Sequence, residues 1–366
     1  MILGGRHPGQ YFLSGGETLD YLINTEVCNT QVSPDTLQLG VARGGAMTDT
    51  LAEEILLCGG RDNEGTIRDD CLAYNFTSNT WAEHSLLLAP REEAACTVVD
   101  NKMFVLGGVV DSEMTASVEV WDDAQQQWSE GPEMPETRAR FCAVPVDSRF
   151  LAVIGGEMDG ELLNSMKTLD LETNEWRMQS QTLTVARKDH ACVATRLDDE
   201  EGILVTGGVD ADDNALTSVE FFSIPKQVTR QWHCNSTRSP VTQEWVTLPD
   251  LTVARTEHGL AVVNGIPTVV GGVAAEEFLA SVEQLDSSTD QDIPYQREWR
   301  LVSQVTEQNK PQSAGTFLIS IFPPGSVGSQ IRLRPGARAH QQSQHRAGLQ
   351  ETINTWKHIR LPFCIV

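Results

Sequence analysis

Acidic side chains recur at two fixed places in this chain, and they are the residues best placed to do chemistry. The first place follows a Gly-Gly doublet: Glu17, Arg61 with Asp62, Asp111, Glu157 with Asp159, Asp210 with Asp212, and Glu276. The second lies two residues after a recurring arginine: Gly45, Glu93, Arg140, Asp189 and Glu257, with Ser313 in a C-terminal counterpart. Carboxylates grouped in this way steer and hold cationic ligands. The plainer reading is that they are ordinary solvated loop residues. Glu157 and Asp159 could bind calcium weakly, but their spacing is not that of a calcium loop. His190 and His258 share one position, three residues after Arg187 and Arg255, which suits packing or hydrogen bonding better than ligation. The eight cysteines include no C-x-x-C pair, so a zinc site has no support. No P-loop, G-x-S-x-G or H-E-x-x-H occurs. The expectation is no catalytic residue, no cofactor and no metal.

These residues must be positioned by the elements around the doublets. The doublets are Gly15-Gly16, Gly59-Gly60, Gly107-Gly108, Gly155-Gly156, Gly207-Gly208 and Gly271-Gly272, and each closes a short apolar run. Their second glycines are separated by 44, 48, 48, 52 and 64 residues, a repeat period that must be read before anything else. Short β-branched runs alternate with Asp/Glu- and Gly-rich turns, and no long helical period intervenes, so the chain reads as all-β. The third unit shows four strands: A from Ala94 to Val99, B from Met103 to Leu106, C from Ser117 to Trp121, and D around Trp128. After each doublet comes a large apolar residue, Tyr74, Trp121, Leu169, Phe222 or Leu285, with Cys28 in the first unit. A tryptophan follows seven positions later at Trp81, Trp128 and Trp176, and then an arginine, at Arg43, Arg91, Arg138, Arg187 and Arg255. Rings at a fixed repeat position fill the space between neighbouring sheets.

On these residues the chain, from about 11 to 322, resembles the kelch-repeat family: an apolar strand, Gly-Gly, an aromatic residue and then Trp, at about 50 residues per unit. The resemblance implies a β-propeller of six blades, each of four antiparallel strands around a channel. The domain expected is 11–322, followed by a basic, disordered tail at 323–366. The first unit departs most, with Cys28 and Ser33 where aromatic residues belong. It begins at strand B, so Gly315 to Phe322 is expected to complete it from the C-terminal side and leave no open edge. In the fifth unit Phe222 and Trp245 stand 23 residues apart, which leaves an insertion at roughly 224–241.

Composition narrows the function. The net charge is −24; residues 323–366 carry six Lys/Arg against Glu351 alone, so the first 322 residues carry −29. Such a body repels nucleic acid and anionic membranes. No run approaches the ~18 apolar residues of a membrane span. No signal peptide is visible, which implies a cytoplasmic protein if Met1 is the true start and an extracellular one if a leader is missing. The sequons at Asn75 and Asn235 keep the second possibility open, as does a possible disulfide between Cys58 and Cys71, which flank one B–C turn. Cys96, Cys142 and Cys192 read as small buried residues at one repeat position.

Antiparallel strand order puts the B–C and D–A loops on one face, and in kelch propellers that face commonly binds the partner. The resemblance therefore implies a monomeric, non-catalytic protein-interaction module whose partner presents a Lys/Arg-rich segment. It also admits the recognition part of a cullin-type ubiquitin-ligase adaptor lacking its BTB domain. A third alternative is a propeller enzyme acting on a carbohydrate or small molecule, since this kind of propeller includes a copper oxidase and a sugar epimerase. The four tyrosines form no cluster with histidine of the kind copper needs.

Overall fold

The computed structural model describes residues 41–304, except 53, 76, 77, 79, 199, 225–243, 276 and 287–296, together with four two-residue strands within residues 2–17. Units two to six each fold into a four-stranded antiparallel blade. Blade two runs Met47–Leu51, Glu54–Cys58, Asp70–Asn75 and Thr80–Leu86. Blade three runs Ala95–Val99, Lys102–Leu106, Val118–Asp122 and Gln127–Glu130. Blade four is Cys142–Pro145, Phe150–Ile154, Ser165–Asp170 and Glu175–Thr182. Blade five is Ala191–Leu197, Glu200–Thr206, Val219–Ser223 and Trp245–Leu248. Blade six is Gly259–Val263, Ile266–Val270, Ser281–Asp286 and Glu298–Gln304.

Among the described residues the propeller therefore shows five blades, not the six expected. At the first doublet, Ile2–Leu3 pairs with Gly16–Glu17 and Arg6–His7 pairs with Tyr11–Phe12, so the described strands there make two small ribbons rather than a blade. The physical reason lies in the side chains. Cys28 and Ser33 stand where the other units place the large residues that fill a seam between blades. The closing strand expected at Gly315 to Phe322, the tail at 323–366 and the insertion at 224–241 lie outside the described residues, apart from Ile224.

The repeat spacing becomes cross-strand pairing. Tyr74 stands opposite Trp81, Trp121 opposite Trp128, Leu169 opposite Trp176, Phe222 opposite Trp245 and Leu285 opposite Trp299. The register survives the long connections in units five and six because the pair itself supplies the packing. Phe222 and Trp245 keep ring centroids 5.3 Å apart across the insertion, a contact of about 0.5–1.5 kcal/mol beyond area burial.

The cores lie in the seams between blades. Met47, Leu56, Cys58 and Cys71 of blade two meet Met103, Val105, Trp121 and Trp128 of blade three. Comparable clusters fill the next three seams. The inner strands of successive blades pack on one another in chain order. Each D–A loop then bridges to the B–C loop of the blade it enters: Glu92 to Val109, Ala139 to Glu157, Lys188 to Val209, Thr256 to Val273, and Arg43–Gly44 to Arg61–Asp62. The two loop sets thus share one face.

Candidate interaction face

The face rests on a layer of buried arginines. Arg187 is fully buried. Its Nη1 donates to the Gly207 carbonyl at 2.8 Å, and its Nη2 donates to Ser218 Oγ at 2.9 Å and to Glu220 Oε1 at 2.6 Å. The other oxygen of Glu220 accepts the amide of Thr184 at 2.8 Å, so one carboxylate holds both the arginine and the incoming loop. Arg91 with Ser117 and Glu119, and Arg255 with Ser281 and Glu283, repeat this arrangement. Burying two charges is tolerable only when hydrogen bonds satisfy what the pair leaves over; the loop amides do this for the carboxylates, while Nε of Arg91 and of Arg255 stays buried without a partner among the described residues. The sequence signal is a Ser-Val-Glu triplet at 117, 218 and 281, which a reading centred on the glycines missed.

Two blades vary the scheme. In blade four Lys167 occupies the glutamate position, and Glu136, two residues before Arg138, supplies the carboxylate to both cations, with Lys167 Nζ at 2.6 Å. In blade two Leu72 stands there, and Asp70 pairs with Arg43 at 2.8 Å.

The backbone of each arginine joins two blades. Gly108 N of blade three donates to Arg138 O at 2.8 Å, while the Arg138 side chain reaches Gly155 O of blade four. Gly107 and Gly108 have φ of 60° and 85°, and a Cβ on Gly107 would collide with Arg138 O. The doublet is required because backbone passes where a side chain would sit.

Two residues past each arginine the chain turns into the left-handed region. Gly45, Glu93, Arg140, Asp189 and Glu257 all have φ between 51° and 64°. Their backbones form a chain of hydrogen bonds from blade to blade. Glu93 N donates to Gly45 O, Arg140 N to Glu93 O, Asp189 N to Arg140 O and Glu257 N to Asp189 O, all at 2.9–3.0 Å. A non-glycine residue held at positive φ costs of order 1 kcal/mol and persists only where its surroundings over-determine it. Here the inter-blade chain holds it at Glu93, Arg140, Asp189 and Glu257, and aims these four side chains at one place.

Those side chains largely neutralise one another. Arg140 Nε donates to Asp189 Oδ1 at 2.9 Å, its Nη2 lies 2.5 Å from Oδ2, and its Nη1 lies 3.5 Å from Glu157 Oε1. Lys188 Nζ donates to Glu157 at 2.8 Å, and Arg61 pairs with Glu92. Burial alone would lower the Arg140 pKa, but Asp189, Glu93 and Glu157 outweigh it and raise it. Burial pushes Asp189 up to about 6 against the pull of Arg140, with Glu257 adding to the rise. Glu93 is raised by burial too. Among the described residues, no hydrogen bond or ion pair engages the carboxylates of Glu93 and Glu257.

The remaining candidates separate by role. Asp62 is buried and accepts the amides of Glu64 and Thr66, so it shapes its own loop. Asp210 accepts the amides of Asp212 and Asn214 in the same way. Asp111 and Asp159 stand exposed at tips of B–C hairpins. The backbone of Glu17 pairs with Ile2, and Ser313 and Glu276 lie outside the described residues.

The histidines are structural. His190 Nε2 lies 3.1 Å from Ile154 O, and His258 Nε2 lies 2.8 Å from Thr206 Oγ1. Burial and the neighbouring arginines hold both imidazoles neutral, His190 at about 3. No group of His, Cys, Asp and Glu able to hold a metal occurs among the described residues.

Among the described residues, two disulfides are present. Cys58 and Cys71 stand opposite each other on neighbouring strands, with Cα atoms 4.0 Å apart. Cys142 and Cys192 join the inner strands of blades four and five, Cα to Cα 5.9 Å. Their ladder positions differ: Cys142 faces Ile154, the last residue of strand B, whereas Cys192 faces Val205 and Cys96 faces Val105, each next to last. The single repeat position read from the sequence is therefore two. The offset explains the pairing, because Cys96 turns toward blade two, where Met47 occupies the position of Cys142.

Four-stranded blades packed seam to seam on their inner strands, with paired D–A and B–C loops on one face, define a β-propeller. The KLHDC2/KLHL20/DRC7 Kelch-repeats domain matches residues 2–208, more than half of the chain, and the chain belongs to the kelch-repeat family. Kelch-like protein 34 of Homo sapiens is 25% identical over 249 residues, covering 63% of this chain and 36% of that protein. Kelch-like protein 36 of Bos taurus is 30% identical over 146 residues, 36% of this chain and 23% of that one. An F-box/kelch-repeat protein of Arabidopsis thaliana is 27% identical over 118 residues, 30% and 29% of the two chains. The chain thus spans about a third or less of the curated relatives it matches. Among solved structures, the "Structure of YjhT" has the same kind of fold, with a TM-score of 0.54 at 16% identity over 72% of this chain and 84% of that one.

Proposed function

We propose that this propeller is a non-catalytic protein-interaction module and that its partner docks on the face formed by the D–A and B–C loops. The observation that carries the reading is the row at Gly45, Glu93, Arg140, Asp189 and Glu257. Five loops share one backbone conformation held by a chain of hydrogen bonds, strained at the four non-glycine positions, and they present the same position of five repeats to one surface. Strain kept at equivalent places is a reason to look for function there. The partner presents Lys or Arg. Among the described residues the carboxylates of Glu93 and Glu257 make no ion pair or hydrogen bond, although Arg140 acts on Glu93 through space, and Asp111 and Asp159 extend the acidic character to the hairpin tips. A net charge of −24 disfavours nucleic acid and anionic membranes as partners.

The test is binding of an arginine-rich peptide and of its acidic counterpart, together with capture of proteins, by the wild type and by Glu93→Gln/Glu257→Gln. The expected result is loss of the arginine-rich peptide and of specific captured proteins in the variant, with an unchanged unfolding midpoint. Equal binding by both proteins would remove this face, the mouth of the propeller, from the reading.

A further inference from the structure

The two disulfides differ in where they sit and in what they hold. Cys58 and Cys71 are completely buried inside blade two. Cys142 and Cys192 are only half-buried, on inner strands, and their bond crosses the seam between blades four and five. The same seam is crossed at the mouth by the Arg140–Asp189 ion pair and by the bond from Asp189 N to Arg140 O at 3.0 Å. Arg140 lies two residues before Cys142, and Asp189 three before Cys192. The covalent bond and the mouth contacts thus sit on the same two chain segments, within about one strand turn of each other.

We propose that Cys142–Cys192 is a redox-addressable latch on the mouth, whereas Cys58–Cys71 is a fixed structural bond. The latch gains its functional meaning from the docking reading above. The reductant is a small dithiol. Its thiolate attacks one sulfur and breaks the Cys142–Cys192 bond; two cysteine thiols form, and the reductant closes to its own disulfide, having given up two electrons and two protons. Access to the sulfur controls the rate of such exchange, and of the two bonds only this one joins cysteines that are not completely buried. Once it is open, the seam between blades four and five is held at the mouth by the Arg140–Asp189 and Lys188–Glu157 ion pairs and by the bonds from Asp189 N to Arg140 O and from Gly156 N to Arg187 O. Arg140 and Asp189 then separate more readily.

The experiment treats the intact chain with dithiothreitol, quenches by alkylation and reads each cysteine by mass spectrometry. Cys142 and Cys192 should be labelled about tenfold faster or more than Cys58 and Cys71. Residue-resolved amide exchange follows, on protein reduced only at the first pair and on Cys142→Ser/Cys192→Ser. The Asp189 amide, which crosses the latched seam, should exchange about tenfold faster than in oxidised wild type. The Glu93 amide, which crosses the seam between blades two and three, should not change. Equal labelling of the two pairs, an unchanged Asp189 amide, or a uniform rise across all mouth amides would each overturn the proposal. Because exchange needs no partner, a responsive Asp189 amide supports the latch even if the peptide experiment removes the docking reading.

Discussion

Two layers of this molecule are built by the same five loops, two residues apart along the chain. In one, Arg43, Arg91, Arg138, Arg187 and Arg255 are buried, and each donates to the carbonyl of its own blade's first glycine. In the other, Gly45, Glu93, Arg140, Asp189 and Glu257 share one backbone conformation and differ in side chain. The first layer closes on carbonyls and carboxylates that every blade must satisfy, so its chemistry repeats. The second meets solvent and its neighbours' side chains, so only its backbone repeats. A propeller can therefore vary its mouth without touching its frame, and single substitutions should separate the two layers.

The sharpest break is Glu220→Ala. It leaves Arg187 buried without its carboxylate and Thr184 N without its acceptor, a loss of about 3–5 kcal/mol, read as a fall in the urea midpoint. Gly107→Ala comes next. Its positive φ and the collision with Arg138 O should cost about 2–4 kcal/mol, again by urea, with blades three and four losing protection together in amide exchange.

A third test concerns another buried carboxylate at a seam. Asp49 accepts the amides of Thr50 at 2.6 Å and Val98 at 2.8 Å, and Val98 belongs to the next blade. Burial pushes its carboxyl up to about 6 against the two amide donors. An unfolded aspartate titrates near 3.9. The folded state therefore holds more protons between about pH 4 and 6, and stability falls as pH rises through that window and is level above it. Asp189 titrates near 6 as well and adds to the slope. Asp49→Asn should remove about half of this dependence in urea midpoints measured from pH 4 to 7.

The exception in blade four gives a smaller effect. Lys167→Glu should destabilise, because it sets two acids against Arg138. Adding Glu136→Val, the residue type at the corresponding positions Val185 and Val253, should recover about 1–2 kcal/mol as a positive coupling. Additive losses would mean that the arrangement in blade four is not a rearranged form of the same clamp. In the mouth, Glu257→Ala should change stability by no more than about 0.5 kcal/mol. A loss comparable to that of Glu220→Ala would erase the distinction between the layers.

Much of the frame was legible because it depends on local spacing. The doublets, the aromatic-to-tryptophan interval and the arginine each mark a residue whose environment is the same in every blade. Strand limits in unit three come within one residue of the observed ones. Three things were not legible. The blade count depends on whether the first unit has side chains able to fill a seam, and a doublet alone does not report that. The ladder positions of Cys142 and Cys192 depend on one residue of register between strands, and counting from Arg138 and Arg187 conceals the shift. The acidic rim looked like free charge because Arg61, Arg140 and Lys188 find Glu92, Asp189 and Glu157 only across the B–C and D–A loops, 31 to 49 residues away in sequence.

By itself the sequence determined the repeat, the all-β character, the residues at each seam and the loops that form the mouth. These follow from the period of the pattern and from the size and shape of single side chains. Only the tertiary structure decided which charges cancel, that Cys142 meets Cys192 and which loop residues are strained. Those outcomes depend on distances between residues of neighbouring blades, and packing of the seams sets them.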